Sequence, residues 1–523
     1  MNRKNLTAAV LAGLAGAAGL AGTAQAVNLN PDGLGQVLIY PYYTANGGNS
    51  TLLSVVNTTN SAKAVKVRFL EGFNSREVLD FNLYLSHHDV WVAGILHDFP
   101  LSPDYDPSEW DTPTTLVITD DSCTVPYLYG DYPVELDSGL MAGTQPFRDY
   151  AYIEFPDGGP TDEQRAAEGH FEIIEMGTIT KGSDTEADIT HKWHSPKDEP
   201  KYWAPGDCEQ LVENWTIGGT GEDDGIWADE ALSEDLQAWT DTERNSGGLF
   251  GGAAVINVNN GAMFSYDARA VQGFDKTDDG IHYIPGNAEP SLNSGDQMTA
   301  YVFFGVPQNK SVQLQYSHGV DAVSAVFMHE FTMNEYTTAD SPAEAATEWV
   351  VTFPTKSFYV DEDYIDGETE VVWEPTTAAN GDGIADCNFW EVGNTYPLYT
   401  APGTDVPIDG PGPWPNPGWE NCDYVGTEYN IDPTNARPPF TEFYDGGACE
   451  EVTLVAYDRD ERKAEDPDNP GRPPVVSPAP PIKPGDKEAE FELCNETNIL
   501  RFGSRSVFDT PEIDGDSLLV SVT

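Results

Sequence analysis

Residues 65–69 and 79–85 each carry a two-residue hydrophobic period. Val65, Val67 and Phe69 alternate with Lys66 and Arg68, and Leu79, Phe81, Leu83 and Leu85 alternate with Asp80, Asn82 and Tyr84. Successive side chains of an extended strand point to opposite faces, so this pattern puts one apolar row of each strand in a core and the polar row on the other face. Neighbouring stretches extend the signal: 37–43 is apolar and aromatic, 51–57 follows the turn Asn46-Gly47-Gly48-Asn49, and 90–95 and 115–119 complete the set. Strand runs at short spacing, separated by turn residues, predict a mainly β chain of β-sandwich domains, immunoglobulin-like in pattern, with long loops and a few short helices. The Cys…Trp…Cys spacing of true immunoglobulin domains is absent.

The rest of the chain is mixed. Residues 150–155 and 171–179 read as strands. Residues 249–258 and 262–270 read as a pair around Asn259-Asn260-Gly261, and 301–306 with 312–316 as another. A short helix is expected at 227–239, where Ala228, Ala231, Leu232 and Leu236 share a face, and a second at 320–328. Residues 349–355 are strongly β. Residues 355–449 are rich in Pro, Gly and Trp, and a Pro-rich spacer with eight Pro occupies 466–484. Residues 492–502 and 518–522 read as two final strands that return to an earlier sheet, because a lone pair is only marginally stable. The expected division is a signal peptide at 1–26, an N-terminal sandwich domain at 27–120, a second mainly β domain at 121–356, and a loop-rich, disulfide-bonded region at 357–523.

The first 26 residues have the form of an export signal: Arg3 and Lys4, an apolar run from Leu6 to Leu20, then Ala24-Gln25-Ala26. Its removal would start the chain at Val27 and take the net charge from −61 to −63, since it carries two basic residues and no acid. With 87 Asp and Glu against 26 Lys and Arg, nucleic acid is excluded as a partner, because phosphate neutralisation needs clustered cations. No second apolar run is long enough to span a bilayer. The acid excess fits a saline exterior, a soluble exported surface or calcium loading.

Calcium is the expected cofactor. Asn380-Gly381-Asp382-Gly383-Ile384-Ala385-Asp386 has oxygen ligands at alternate positions around a turn glycine, although Ala378 stands at the first ligand position. Asp-Gly-Ile recurs at Asp224 and Asp279, each preceded by another acid. The competing reading is a set of acidic turns. His87-His88 and His191-Lys192-Trp193-His194 lack a zinc spacing and read as surface residues. His329-Glu330 fails as a zincin motif at Met333. There is no G-x-S-x-G elbow, and among so many acids no glycosidase pair can be chosen. Cys123, Cys208, Cys387, Cys422, Cys449 and Cys494 predict up to three disulfides in an oxidising compartment. Pairing by parity joins Cys123 to Cys208 and leaves four in the C-terminal half. Trp414, Trp419 and Tyr424 are candidates for stacking on sugar rings.

Several stretches resemble, as a group, a family of exported proteins of proteobacteria described as hypothetical or cell-surface proteins. They are Gly35 to Tyr43, the run Val67 to Leu85 with Asn74-Ser75-Arg76-Glu77, Asp121-Ser122-Cys123-Thr124, and Trp349 to Lys356. The resemblance covers most of the chain after the signal. It implies a Gram-negative source and a surface or extracellular location, and carries no reaction, cofactor or site residue. The expected function is a non-enzymatic structural protein of the cell surface or extracellular matrix that self-assembles into a layer or filament. One route is donation of a free arm, 27–35, to a neighbour's sheet. A carbohydrate-binding or adhesive protein is the alternative, and a secreted hydrolase the third reading.

Overall fold

Phe69 and Phe81, on adjacent strands, point into the same core, and the strands facing them across that core supply Trp91, Leu116 and Phe147. These side chains are fully buried, and each such side chain contributes about 1.5–3 kcal/mol. The computed structural model describes residues 26–521, with breaks at 102, 104–109, 132, 137, 155–156, 196–200, 218–224, 234–235, 305–309, 329–331, 337–345, 361–369, 376–398, 401–421, 429–448, 455–488 and 504–505.

Two large sheets form the sandwich. In chain order the strands are β1 (Asn28–Leu29), β2 (Val37–Thr44), β3 (Asn49–Asn57), β4 (Lys63–Glu71), β5 (Glu77–Leu85), β6 (Val90–His97), β7 (Asp111–Ile118), β8 (Cys123–Val125), β9 (Pro133–Glu135), β10 (Met141–Arg148) and β11 (Glu168–Ile179). There follow β12 (Lys192–His194), β13 (Tyr202–Ala204), β14 (Thr216–Ile217), β15 (Thr242–Glu243), β16 (Leu249–Asn257), β17 (Ala262–Asp267) and β18 (Arg269–Gln272). One sheet runs β1-β18-β2-β11-β4-β5-β8, with β15 also paired to β11. The other runs β17-β16-β3-β6-β7-β10-β9. Mainly β structure, the sandwich and the few short helices are as the alternation predicts. Both sheets draw strands from either side of the 120/121 division, so residues 27–120 and 121–356 are interleaved within them.

The two sheets differ on their outer faces. In the seven-stranded sheet β3 and β16 alternate between buried and accessible residues. In the eight-stranded sheet β4 and β11 are buried at every position and β5 at nearly every one. Its outer face is covered in three zones. Toward β2 and β18, Val37, Ile39 and Val271 pack against Phe274, Leu292 and the helix Gly319–Phe327. Toward β5 and β8, Tyr84 packs beneath Trp215 and Trp227, and Trp215 Nε1 donates to the Tyr84 hydroxyl at 2.8 Å. Between these apolar zones lies a charged strip on β4, β5 and β11, crossed by the loop around 283–289: Asn82 Nδ2 donates to the Tyr283 carbonyl and the Gly286 amide to Asp80.

Several local expectations change. The segment predicted as a strand at 150–155 forms the helical turn Tyr150–Ile153, in which the Ile153 amide donates to the Asp149 carbonyl at 3.0 Å and Tyr152 is drawn into the core. The arm expected to be free is docked: Asn28–Leu29 pairs with Val271 and Gln272, and Val27 is fully buried with its amide on the Thr299 carbonyl at 2.7 Å. The segment expected as one strand at 492–502 is broken at 494–496, and its second part, 497–502, joins neither large sheet but a separate three-stranded one. This strand pairs antiparallel with β21 (Thr347–Thr352), which follows the hairpin of β19 (Thr299–Phe304) and β20 (Lys310–Gln315), and parallel with 519–521. Leu518, Phe508 and Tyr42 then close a further apolar cluster against the sandwich.

Candidate functional site

The outward positions of β16, β3 and β6 hold Phe250, Gly252, Ala254 and Ile256, then Ser50, Leu52, Ser54 and Val56, then Val90, Val92, Gly94 and Leu96. None of them is charged. The edge strand β17 adds Met263, opposite Ile256, and the carboxylate of Asp267, opposite Gly252. Leu52 and Val90 are each 47% exposed and Met263 69%. Gly251 at an inward position admits the Tyr40 hydroxyl, which donates to the Ser54 carbonyl at 2.8 Å; a Cβ there would strike that oxygen. β16 pairs antiparallel with β3 over its whole length, Leu249 opposite Asn57 through Asn257 opposite Asn49. A contiguous exposed apolar patch marks an interaction surface.

A second surface feature is the hairpin β12–β13. Trp193 and Trp203 are cross-strand partners, 65% and 53% exposed, with ring centroids 5.4 Å apart in a T-shaped arrangement. Beside them the His194 and Tyr202 rings stack at 4.9 Å, and His194 Nε2 binds the Pro205 carbonyl at 2.7 Å. Read as histidines, residues 191–194 are surface residues; the aromatic pairing across the turn was missed. The signal lies in the sequence: Trp193-His194 and Tyr202-Trp203 flank a short polar, Pro-containing segment. His191 is tied to Asp121 at 3.2 Å and Asp89 at 3.7 Å, and its hydrogen bond to Asp121 pushes its pKa up.

The buried strip is the densest electrostatic feature. Lys63 and Glu175, both fully buried, meet at 2.5 Å. Glu175 also accepts from the Ser246 and Gly247 amides, and Lys63 donates to Ser246 Oγ at 2.7 Å. Arg68 lies between Glu77 at 2.7 Å and Glu172 at 3.5 Å. Burial raises both carboxyls to about 7, with Asp80 adding to the rise at Glu77 and Arg68 opposing it at both. Burial, with Arg68 nearby, lowers His170 to about 3, so its ring is neutral; neither nitrogen has a partner among the described residues. Lys66 contacts Asp80, and both side chains are wholly buried. A separate network holds the β4–β5 turn. Arg165 binds Glu71 and Asp157, and Glu71 accepts the Phe73, Asn74 and Arg76 amides. Burial would raise the Asp157 pKa, but Arg165, with Arg76 and Asn74, holds it well below the usual carboxylate range.

Of the predicted calcium residues, Asp279 lies in an exposed turn before Gly280, and its carbonyl accepts from Thr242 Oγ1 at 3.0 Å. Asp224, Asn380, Asp382 and Asp386 lie outside the described residues. Cys449, Glu492 and Cys494 form the one ligand-like group found among the described residues, and its two sulfurs are joined to each other. Cys123 pairs with Cys208, as parity predicts, spanning 85 residues, and Cys449 with Cys494, spanning 45. Two disulfides fit an oxidising compartment outside the cytoplasm. Cys387, Trp414 and Trp419 lie outside the described residues, as do the side chains of Cys422 and Tyr424. No helix among the described residues is long and apolar enough to cross a membrane. Comparison with protein-family models, with curated proteins and with solved structures found no match.

Proposed function

We propose that this chain is a non-enzymatic, exported structural protein of the cell surface or extracellular matrix, which self-associates through the outer face of its seven-stranded sheet. The observation that carries the reading is that face: exposed, apolar and without charge on three adjacent strands, in a chain with a net charge of −61. Two such molecules repel wherever carboxylates approach one another. The sheet face is a surface on which a second copy can dock without bringing them together, and raised salt screens the remaining repulsion. The export signal supports the location, and the disulfides are compatible with it. Calcium at 380–386 remains part of the proposal, as a bridge between acidic surfaces.

Sedimentation of the mature protein across a concentration series, at low and high salt and with calcium, tests this. Association that Leu52→Glu and Val92→Glu abolish without unfolding supports it. A wild-type protein that stays monomeric throughout refutes it.

A second reading has its own observation. The Trp193–Trp203 hairpin presents two exposed indoles of the kind that stack on sugar rings. Cross-strand aromatic pairs also stabilise hairpins by themselves. Glycan binding that is lost in Trp193→Ala and Trp203→Ala would favour a carbohydrate-binding role. As for the hydrolase reading, Glu77 and Glu172 flank Arg68 beneath the sheet's covering and present no open carboxylate pair to a substrate.

A further inference from the structure

We propose that Lys66 and Asp80 are a modification site: that the folded chain joins Lys66 Nζ to Asp80 Cγ through an intramolecular amide, cross-linking β4 to β5. The argument begins with what an ion pair would need there. A buried ammonium and carboxylate are tolerable when their remaining donors and acceptors are satisfied. Lys66 offers three donors. Its nitrogen touches Asp80 Oδ2, and no hydrogen bond from it is found among the described residues. Asp80 Oδ1 is also buried without a partner. Both side chains are fully buried, so bulk water does not compensate.

The neighbouring pair is an internal control. Lys63 and Glu175 lie on the same sheet, equally buried, and their charges are met by Ser246 Oγ and by the Ser246 and Gly247 amides. That is how a buried ion pair is supported in this protein; the Lys66–Asp80 pair has only the Gly286 amide, on Asp80 Oδ2, and nothing at Lys66 Nζ or Asp80 Oδ1 among the described residues.

The amide removes the deficit. An ammonium and a carboxylate condense to an amide and one water. One proton passes from nitrogen to Oδ1, the nitrogen attacks Cγ, and a second N–H proton joins the Oδ1 hydroxyl, which leaves as water. No oxidant or reductant is needed. The Gly286 amide donates to Oδ2 at 3.0 Å, where the oxygen of the tetrahedral intermediate and of the product amide would stand. Gly286 holds a left-handed backbone (φ 78°), which a residue with a Cβ rarely adopts. The product N–H has an acceptor nearby: Asn82 is the cross-strand partner of Lys66, and its buried Oδ1 has no partner among the described residues. Glu77, in the same strand as Asp80 and paired with Arg68, is raised to about 7 by burial and by the Asp80 charge, so it exchanges a proton near neutral pH.

Mass spectrometry of the purified mature protein, reduced, alkylated and denatured, decides the matter. The expected intact mass is one water, about 18 Da, below that of the sequence. Digestion should yield a branched peptide containing both residues and no tryptic cleavage after Lys66. Asp80→Ala and Lys66→Met should each restore the sequence mass, and this reading does not require the variants to fold. A wild-type mass equal to that of the sequence, with cleavage after Lys66, overturns the proposal. So does a water loss that persists in Asp80→Ala, which would place the bond elsewhere.

Discussion

The two outer faces of the sandwich reverse the arrangement that their residues suggest. The outer face of the eight-stranded sheet carries Lys66, Arg68, Asp80 and Glu172 and is buried. The outer face of the seven-stranded sheet carries Leu52, Val90, Val92 and Phe250 and is exposed. Polarity therefore does not decide which face is covered; the long segments after β11 and β18 do, by folding back over one sheet. The covered face must satisfy its charges internally, while the exposed face is free to meet another molecule.

The comparison breaks most sharply at Arg68. Replacing it with Ala leaves Glu77 and Glu172 buried without their cation, and unfolding free energy should fall by about 3–5 kcal/mol in a denaturant titration. A loss below about 1 kcal/mol would mean that the strip is wetter than its burial indicates.

The next effect is a pH dependence. Glu172 titrates near 4.5 when unfolded and about 7 in the fold, so the folded state retains a proton through that interval. Its contribution is fully present below pH 4.5 and is lost as pH rises through 7. It should amount to about 1–3 kcal/mol, visible as a denaturation midpoint that falls between pH 5 and pH 8. Glu172→Gln should flatten that slope.

A smaller effect belongs to the hairpin. Trp193→Ala should cost about 0.5–1 kcal/mol, the worth of a cross-strand aromatic pair, in local stability measured by hydrogen exchange of residues 192–204. Smallest in stability is the exposed face itself. Leu52→Glu should shift unfolding by less than about 0.5 kcal/mol, as at an ordinary surface site, while abolishing association. A large destabilisation by Leu52→Glu would instead show that this face is covered within the same chain.

Much of the sandwich was legible. The two-residue period in 65–69 and 79–85 correctly divides the strands into core and opposite faces, and Cys123 and Cys208 pair as parity suggests. The fate of the polar row was not legible, because Lys66 and Arg68 alternate with valines in the same way whether they face water or a covering loop. In a chain poor in cations, Lys63, Lys66 and Arg68 fall within a single strand, which itself points to buried partners. Asp80 and Glu77 lie on the next strand, but the partners Glu172 and Glu175 and the covering loop with Gly286 lie more than a hundred residues away, and local pattern does not reach that far. The aromatic hairpin was hidden differently. Its two tryptophans look unrelated until the turn brings them across from each other.

The burial of Lys63, Lys66, Arg68 and Arg165 against Asp and Glu has an electrochemical consequence. Those cations are matched inside the protein, so they do nothing to offset the acid on its exterior, and the excess of 87 over 26 must be balanced by mobile ions outside it. A layer of such molecules would act as a fixed-charge gel with a Donnan potential. It would concentrate cations and water between its subunits, swell as the medium is diluted and contract as salt is added.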